Sequence, residues 1–468
     1  MASLTEPVAT AAYRPPAPRP LPATPALIRS LLRGERDLLS LMPRDAFRMR
    51  VGRLGFSRRG ILLINDPALV RAVMTEHAEA LPKNDLFVGA LAPLVGDSIF
   101  VSRGARWRMQ RRMIEPAFTH IQISSAFDAM SRSLDAFEDS LARDARAGAP
   151  LSLDAAMSWL TADIISRATF STSLENETAR EIFDAFAQFQ ASVANVEIAR
   201  LILGRPFAPV RQPPEARAAA RRIRAHVRAL VAPRLSPRAA AAADGPRDIA
   251  ADVIAARDPE SGRAFDLDEL VDQIGVFFLA GHETTACALT WAFFLLSQQP
   301  ALAARLRAEV EETTGGGAVT LEAVKRMALT RAVFRETMRL YPPLPFLPRV
   351  ALAPMRLGDA RLRRGAMAMI APWVIHRHPE FWPRADRFEP ERFLGAAERA
   401  IPAGAYLPFG LGPRICVGAA FATIEATLIL ARLTRRFALT PLAPERVRPA
   451  VRLTTRPAED VMVRASVL

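Results

Sequence analysis

From about residue 105 to 345, apolar positions recur with helical spacing almost without interruption, which predicts a body of packed helices. The longest such pattern runs from about Leu267 to Ser297, and a second apolar run, Ala419 to Leu433, reads as another helix. Two breaks stand out: Pro206 to Pro214, and the Ala-rich, Pro-punctuated stretch 232–247. Residues 25–75 mix a short helix with strand-like segments such as Gly60-Ile61-Leu62-Leu63-Ile64. Residues 345–410 are Pro-rich and irregular with short strands, and the last 30 residues alternate like a hairpin. Residues 1 to about 24, with Pro15-Pro16-Ala17-Pro18-Arg19-Pro20, read as a flexible or polyproline-like tail. No internal repeat and no inserted second domain is visible. The pattern therefore predicts a mainly α fold with a minor β region.

Composition narrows the setting. The chain has 468 residues, half of them hydrophobic, enough to bury a large core. Its two cysteines, Cys287 and Cys416, lie far apart, which argues against a disulfide framework and for a reducing compartment. No basic segment leads into an apolar stretch at the N-terminus, and no apolar run reaches membrane length, so neither signal peptide nor membrane span is expected. The formal charge is +14, with lysine only at Lys83 and Lys325. Coding bias toward arginine explains most of that excess, and no nucleic-acid-binding motif accompanies it. A basic face can still recruit an acidic partner.

One window carries the chemistry: Phe409-Gly410-Leu411-Gly412-Pro413-Arg414-Ile415-Cys416-Val417-Gly418. Chance placement of Phe, Gly, Arg and Gly around one of two cysteines is roughly 10⁻⁵ to 10⁻⁴. A thiolate is a soft, electron-rich iron ligand. Glycines let the backbone turn tightly and point N–H groups at the sulfur. Arg414 can reach a carboxylate, and the helix that follows places its positive end near the anion. The window resembles the F-x-x-G-x-R-x-C-x-G haem loop of the cytochrome P450 family. Ala280-Gly281-His282-Glu283-Thr284-Thr285, inside the Leu267–Ser297 pattern, resembles that family's oxygen-side motif. Glu336-Thr337-Met338-Arg339 and the later Pro390-Glu391-Arg392-Phe393 resemble its E-x-x-R and PERF segments. The resemblance covers about residue 25 to the end.

The resemblance implies one P450 domain over 25–468 and haem b held by Cys416 as axial thiolate. It implies that Phe409 and Gly418 shape the cofactor loop, and that Trp107, Arg111, Arg349 and Arg414 meet the haem propionates. Ala280 and Gly281 would leave room for dioxygen, with Thr284 and Glu283 delivering protons. Glu336, Arg339 and Arg392 would form a structural triad securing the haem-loop region. His376 and His378 are typical of the family, and no metal site is expected there. His282 and Cys287 are expected to pack. Phe100, Phe277, Ala280, Leu344 and Leu453 would line an apolar pocket for a lipophilic substrate. No flavin or iron–sulfur segment is present, so electrons are expected from a ferredoxin or flavodoxin with an NAD(P)H reductase. Arg103, Arg106, Arg108 and Arg112 form a candidate docking cluster. A monomeric, cytoplasmic, bacterial monooxygenase is the expectation. Two other readings stay open: a peroxide-driven peroxygenase of the same fold, and a haem-thiolate sensor without turnover.

Overall fold

The computed structural model describes residues 13–33, 35–55, 57–193, 203–236, 248–451 and 453–468. Helices make up most of it. The N-terminal half holds α1 (Ala23–Arg33), α2 (Pro67–Met74), α3 (Asp85–Val95), α4 (Gly104–Ile114), α5 (His120–Ala147), α6 (Leu153–Phe170), α7 (Glu177–Ser192) and α8 (Pro214–Val231). Then come α9 (Ile249–Ala255), α10 (Leu267–Ser297), α11 (Pro300–Thr314), α12 (Leu321–Arg326) and α13 (Ala328–Leu340). The series closes with α14 (Pro372–Ile375), α15 (Gly395–Arg399) and α16 (Ala419–Arg436).

Helix α10 is the axis of the molecule. Its first turn is fixed by a capping box: Asp266 accepts from the Glu269 N–H at 2.9 Å, and the Glu269 carboxylate accepts from the Asp266 N–H at 3.1 Å. Most of its 31 residues are buried, so it runs through the core rather than over it. At about 1.5 Å per residue it is about 46 Å long. It packs along α6 and also meets α8, α13 and α16. Gly281 is needed for that packing, because a Cβ there would stand 2.9 Å from the Ile165 side chain of α6. Among the described residues no helix is long and apolar enough to cross a membrane.

The strands are short: β1 (Val51–Leu54), β2 (Ile61–Ile64), β3 (Pro150–Ser152), β4 (Leu347–Val350), β5 (Met355–Leu357), β6 (Ala360–Leu362), β7 (Met367–Ile370), β8 (Phe437–Pro441), β9 (Pro449–Val451), β10 (Thr455–Pro457) and β11 (Met462–Val467). One sheet has the order β1-β2-β7-β4, with β2 and β7 parallel in the register Ile61 to Met367. Every residue of β2 and β7 is buried, which explains their unbroken apolar sequences. The expected C-terminal hairpin is two nested ladders. The β9–β10 pair lies between β8 and β11, which themselves pair antiparallel.

The N-terminal expectation changes at its inner end. Helix α1 already begins at Ala23. Tyr13 packs against the main core, the Tyr341 hydroxyl donates to the Pro16 carbonyl at 2.8 Å, and Arg14 pairs with Asp386. Residues 1–12 lie outside the described residues. The break at 206–214 ends where Pro214 opens α8. The second break contains a 3₁₀ turn at Ala232–Leu235, and residues 237–247 lie outside the described residues.

Candidate active site

The Phe409–Gly418 loop is pinched by its own backbone, the Cys416 N–H donating to the Phe409 carbonyl at 2.9 Å. Gly410 and Gly412 sit at φ +75° and +72°. Gly412 has no alternative, since a Cβ would lie 2.3 Å from the Met74 carbonyl oxygen. The loop ends at Gly418, from which α16 starts. Burial raises the Cys416 thiol, while the Gly418 N–H, Arg111 and Lys83 favour its anion. The sulfur opens onto a cavity with about 1700 Å³ of atom-free space, part of it open to solvent.

Helix α10 forms the opposite wall. Phe277, Ala280, Gly281, Thr284 and Thr285 line it. Phe100 and Leu344 join them, as do Phe87 and Phe118, which motif reading did not nominate. Phe118 meets Phe277 edge-on at 5.3 Å, and Phe87 tilts against Phe100 at 5.7 Å. Leu453 is not among the lining residues; it packs against the core instead. The Thr284 hydroxyl donates to the Ala280 carbonyl at 2.7 Å.

Cations crowd one edge of this cavity. Lys83, Trp107, Arg349 and Arg414 all line it, with the Arg414 guanidinium 4.3 Å from the Trp107 ring centroid. Lys83 donates to the Phe100 carbonyl at 2.7 Å and lies over the Phe100 ring. Burial and the neighbouring Arg349 and Arg414 hold its pKa well below the usual lysine value. Burial and Arg414 lower Arg349 to about 10, and burial and Arg103 lower Arg414 to about 10. None of the three forms an ion pair among the described residues. Partly buried cations that repel one another without a counter-anion constitute an anion site. The donor set suits a dianionic, otherwise apolar macrocycle with an iron centre: the Lys83–Arg349–Arg414 edge could take its carboxylates, and the Cys416 sulfur is a candidate iron ligand. Sequence reasoning missed Lys83, although its rarity as one of two lysines was a signal.

Three nominated side chains have other partners. Arg111 lines the cavity but donates to the Ile415 carbonyl at 2.7 Å and to Glu115 at 3.0 Å, bracing the residue before Cys416. Glu283 is buried and absent from the cavity wall. Its carboxylate accepts from Arg456 Nε at 2.8 Å, from Arg456 Nη2, from the Thr454 hydroxyl at 2.6 Å and from Gln190. Burial alone would raise its pKa, but Arg456 outweighs burial and takes it to about 2. Arg392 stands 3.4 Å from Glu336 and 2.7 Å from Glu389, so its closer partner is the latter.

The Glu336–Arg339 pair reaches the Phe409–Gly418 loop through a histidine. Arg339 grips Glu336 with two bonds of 2.7 Å and donates to the His376 carbonyl at 2.8 Å. The His376 Nε2 accepts from the Leu407 N–H at 2.8 Å, two residues before Phe409. Burial, with Arg339 and Arg377 nearby, lowers His376 to about 3, so the ring is neutral. His378, His282 and Cys287 are buried.

One sulfur, an apolar opposite wall and partly buried cations at the edge are what a thiolate-ligated haem dicarboxylate requires. The Cytochrome P450 family model matches residues 18–462. Cyclooctatin synthase of Streptomyces melanosporofaciens is 34% identical over 398 residues, 84% of this chain and 83% of that protein. Cyclooctat-9-en-7-ol 5-monooxygenase of the same organism is 32% identical over 397 residues, 83% and 82% of the two chains. The heme domain of a cytochrome P450DA mutant superposes with a TM-score of 0.77 at 25% identity, covering 90% of each chain. The chain belongs to the cytochrome P450 family, and it is a haem-thiolate monooxygenase.

Proposed function

We propose that Cys416 is the axial thiolate of haem b, and that the enzyme inserts one oxygen atom into a compact lipophilic substrate held against α10. The observation that carries this is the shared cavity of the Cys416 sulfur, the Lys83–Arg349–Arg414 cluster and the Phe87–Phe100–Phe118–Phe277 wall. When bound, the haem iron activates dioxygen; the protein supplies placement, exclusion of water and protons. Lys83, Arg349, Arg414 and the Trp107 N–H would hold the propionates. The Gly418 N–H and the start of α16 steady the thiolate. The aromatic wall strips water from the substrate, and among the described residues no acid lines it. The Thr284 hydroxyl holds a proton on the oxygen side, leaving its Ala280 acceptor to deliver it.

The wall favours a substrate with few polar groups, and one relative is named for action on cyclooctat-9-en-7-ol. That compound is the first probe. Electrons come from a ferredoxin or flavodoxin with its NAD(P)H reductase. Docking near exposed Ile415, next to Cys416, gives the donor its shortest route. A cytoplasmic, monomeric enzyme fits this reading.

The absorption spectrum of dithionite-reduced protein under carbon monoxide tests it. A strongly red-shifted Soret band is expected, lost in Cys416→Ser. A band at the imidazole-ligated position in the unaltered protein would reject Cys416 as the ligand. A low-to-high-spin shift with cyclooctat-9-en-7-ol would support the substrate class.

A further inference from the structure

Residues 96–100 lie between α3 and α4, and they bring Ile99 and Phe100 to the cavity wall. They form neither helix nor strand, so side chains meet their backbone polar groups. Asp272 Oδ2 accepts from the Asp97 N–H at 2.9 Å, and Gln273 Oε1 accepts from the Ile99 N–H at 2.9 Å. Gln110 Nε2 donates to the Asp97 carbonyl at 2.8 Å. All three side chains are buried. Asp272 also reaches a further helix. Its Oδ1 accepts from Arg224 Nη1 of α8 at 2.6 Å, and the same nitrogen donates to the Leu94 carbonyl, in the last turn of α3, at 3.1 Å. We propose that Asp272 is a specificity-determining positioning residue: it clamps α8 and the Phe100 turn onto α10, and so fixes the gap between Phe100 and Phe277. This rests on the haem-monooxygenase reading of the cavity.

Position supports the assignment. Val276 and Phe277, one turn after Asp272 and Gln273 on α10, line the cavity opposite the haem loop. Gly96 makes the seat for the carboxylate. It turns at φ +51°, and a Cβ there would stand 2.1 Å from Asp272 Oδ1. A second ion pair, Arg228 with Asp268, also joins α8 to α10, but its side chains are 45% and 73% exposed. Those of Arg224 and Asp272 are 27% and 12% exposed. Water and salt screen the outer pair far more, so the inner one carries the link. Its charge-assisted hydrogen bonds also fix direction as well as distance. Helix α8 packs in turn along α7, so one carboxylate sets that helix pair against the Phe100 turn.

Asp272 does not line the cavity and acts through Phe100, whose carbonyl Lys83 holds from the other side. With the clamp closed, the wall is ordered before a ligand arrives, and binding need not order it. With the clamp open, a ligand that leans on the wall binds only the clamped fraction of molecules. If that fraction is about one tenth, its apparent affinity falls about tenfold. A ligand too small to reach the wall loses nothing. The clamp therefore selects substrates that fill the Phe100–Phe277 gap over smaller ones.

Azole titration of the haem-loaded full chain tests this, read from the Soret shift as a nitrogen binds iron. Imidazole is too small to press on the wall, whereas the ring of 4-phenylimidazole does. Asp272→Asn keeps an acceptor for the Asp97 N–H but loses the charge that holds Arg224. It should weaken 4-phenylimidazole about tenfold and leave imidazole within about twofold. Equal losses for both azoles, or none, overturn the proposal. Arg224→Gln should show the same split, and Arg224→Lys much less of it. The double variant should be no worse than either single one, and additive losses reject the clamp. Should Asp272→Asn fail to fold, the two Arg224 variants decide. Hydrogen exchange over residues 96–100 reads the clamp without the iron: it should speed up in Asp272→Asn and Arg224→Gln, and unchanged exchange overturns the proposal. A Soret band that imidazole fails to shift in the unaltered chain would instead sink the haem reading, with the exchange result still deciding the clamp.

Discussion

Glu283 and His376 show how burial is turned to opposite ends. Both are buried, but Arg456 keeps the acid ionised, whereas burial and the nearby Arg339 and Arg377 outweigh the backbone carbonyls that would favour a charged imidazole. Each therefore makes stability depend on pH in the acid range. Glu283 has a folded pKa of about 2 against an ordinary value of about 4.3, so its contribution is complete above the ordinary value and is lost as pH falls toward 2. His376 has a folded pKa of about 3 against about 6.5, so the unfolded chain takes that proton first. Stability is thus expected to fall by up to about 1.4 kcal/mol per pH unit below about 6.5, as the unfolded chain charges the imidazole. Urea midpoints between pH 8 and 4.5 measure this; a flat profile from 6.5 to 4.5 would reject a neutral, compressed His376. The motif placed Glu283 correctly on its helix but said nothing about its state. Its partner Arg456 lies 173 positions away and is one arginine among many, so no local pattern could join them.

At the scale of elements, chemistry depends on a few backbone constraints. The haem loop turns back on itself because Gly412 occupies a left-handed conformation against the Met74 carbonyl. Gly412→Ala is expected to cost at least about 2 kcal/mol, since strain and a backbone clash add. Thermal unfolding of the haem-loaded protein would show it, together with faster haem loss to a scavenging globin; unchanged retention would mean that the loop tolerates a different turn. The elements most readable from sequence were those defined by long periodic runs. Helix α10 keeps the expected Leu267–Ser297 bounds, and α16 extends the expected run only to Arg436. Short elements were harder. The C-terminal alternation could not reveal that β9 and β10 are nested inside the β8–β11 pairing, because alternation fixes faces and not partners. Gly281 was read as space for dioxygen, and its close approach to Ile165 depends on a helix more than a hundred residues earlier in the chain.

Across the whole molecule, three of the four arginines flanking Trp107 are spent on ion pairs within the chain. Arg106 meets Asp97 and Glu269, Arg108 meets Glu79, and Arg112 meets Asp258 and Glu260. The expected docking cluster is therefore mostly neutralised. Arg103 is exposed and, among the described residues, forms no ion pair, and it lies close enough to lower the Arg414 pKa. Arg103→Glu should slow electron transfer from an acidic ferredoxin severalfold at low salt, with the difference shrinking as ionic strength rises. Stopped-flow reduction at two salt concentrations measures it, and equal rates at low salt would remove Arg103 from the docking face. Charge pairing of this kind is invisible in a net charge of +14, which counts residues and not neighbours.

The crowded edge formed by Lys83, Arg349 and Arg414 has a consequence for how the protein comes to exist. These cationic side chains repel one another, and an anion between them would relieve that repulsion. A ligand that binds only the folded chain shifts folding by mass action, and here the ligand also removes that repulsion. The cofactor thus serves as a maturation factor as well as a reagent. A cell short of porphyrin would accumulate newly made chains that breathe open and are cleared by proteases, and the amount of enzyme would follow the haem supply more closely than the rate of translation.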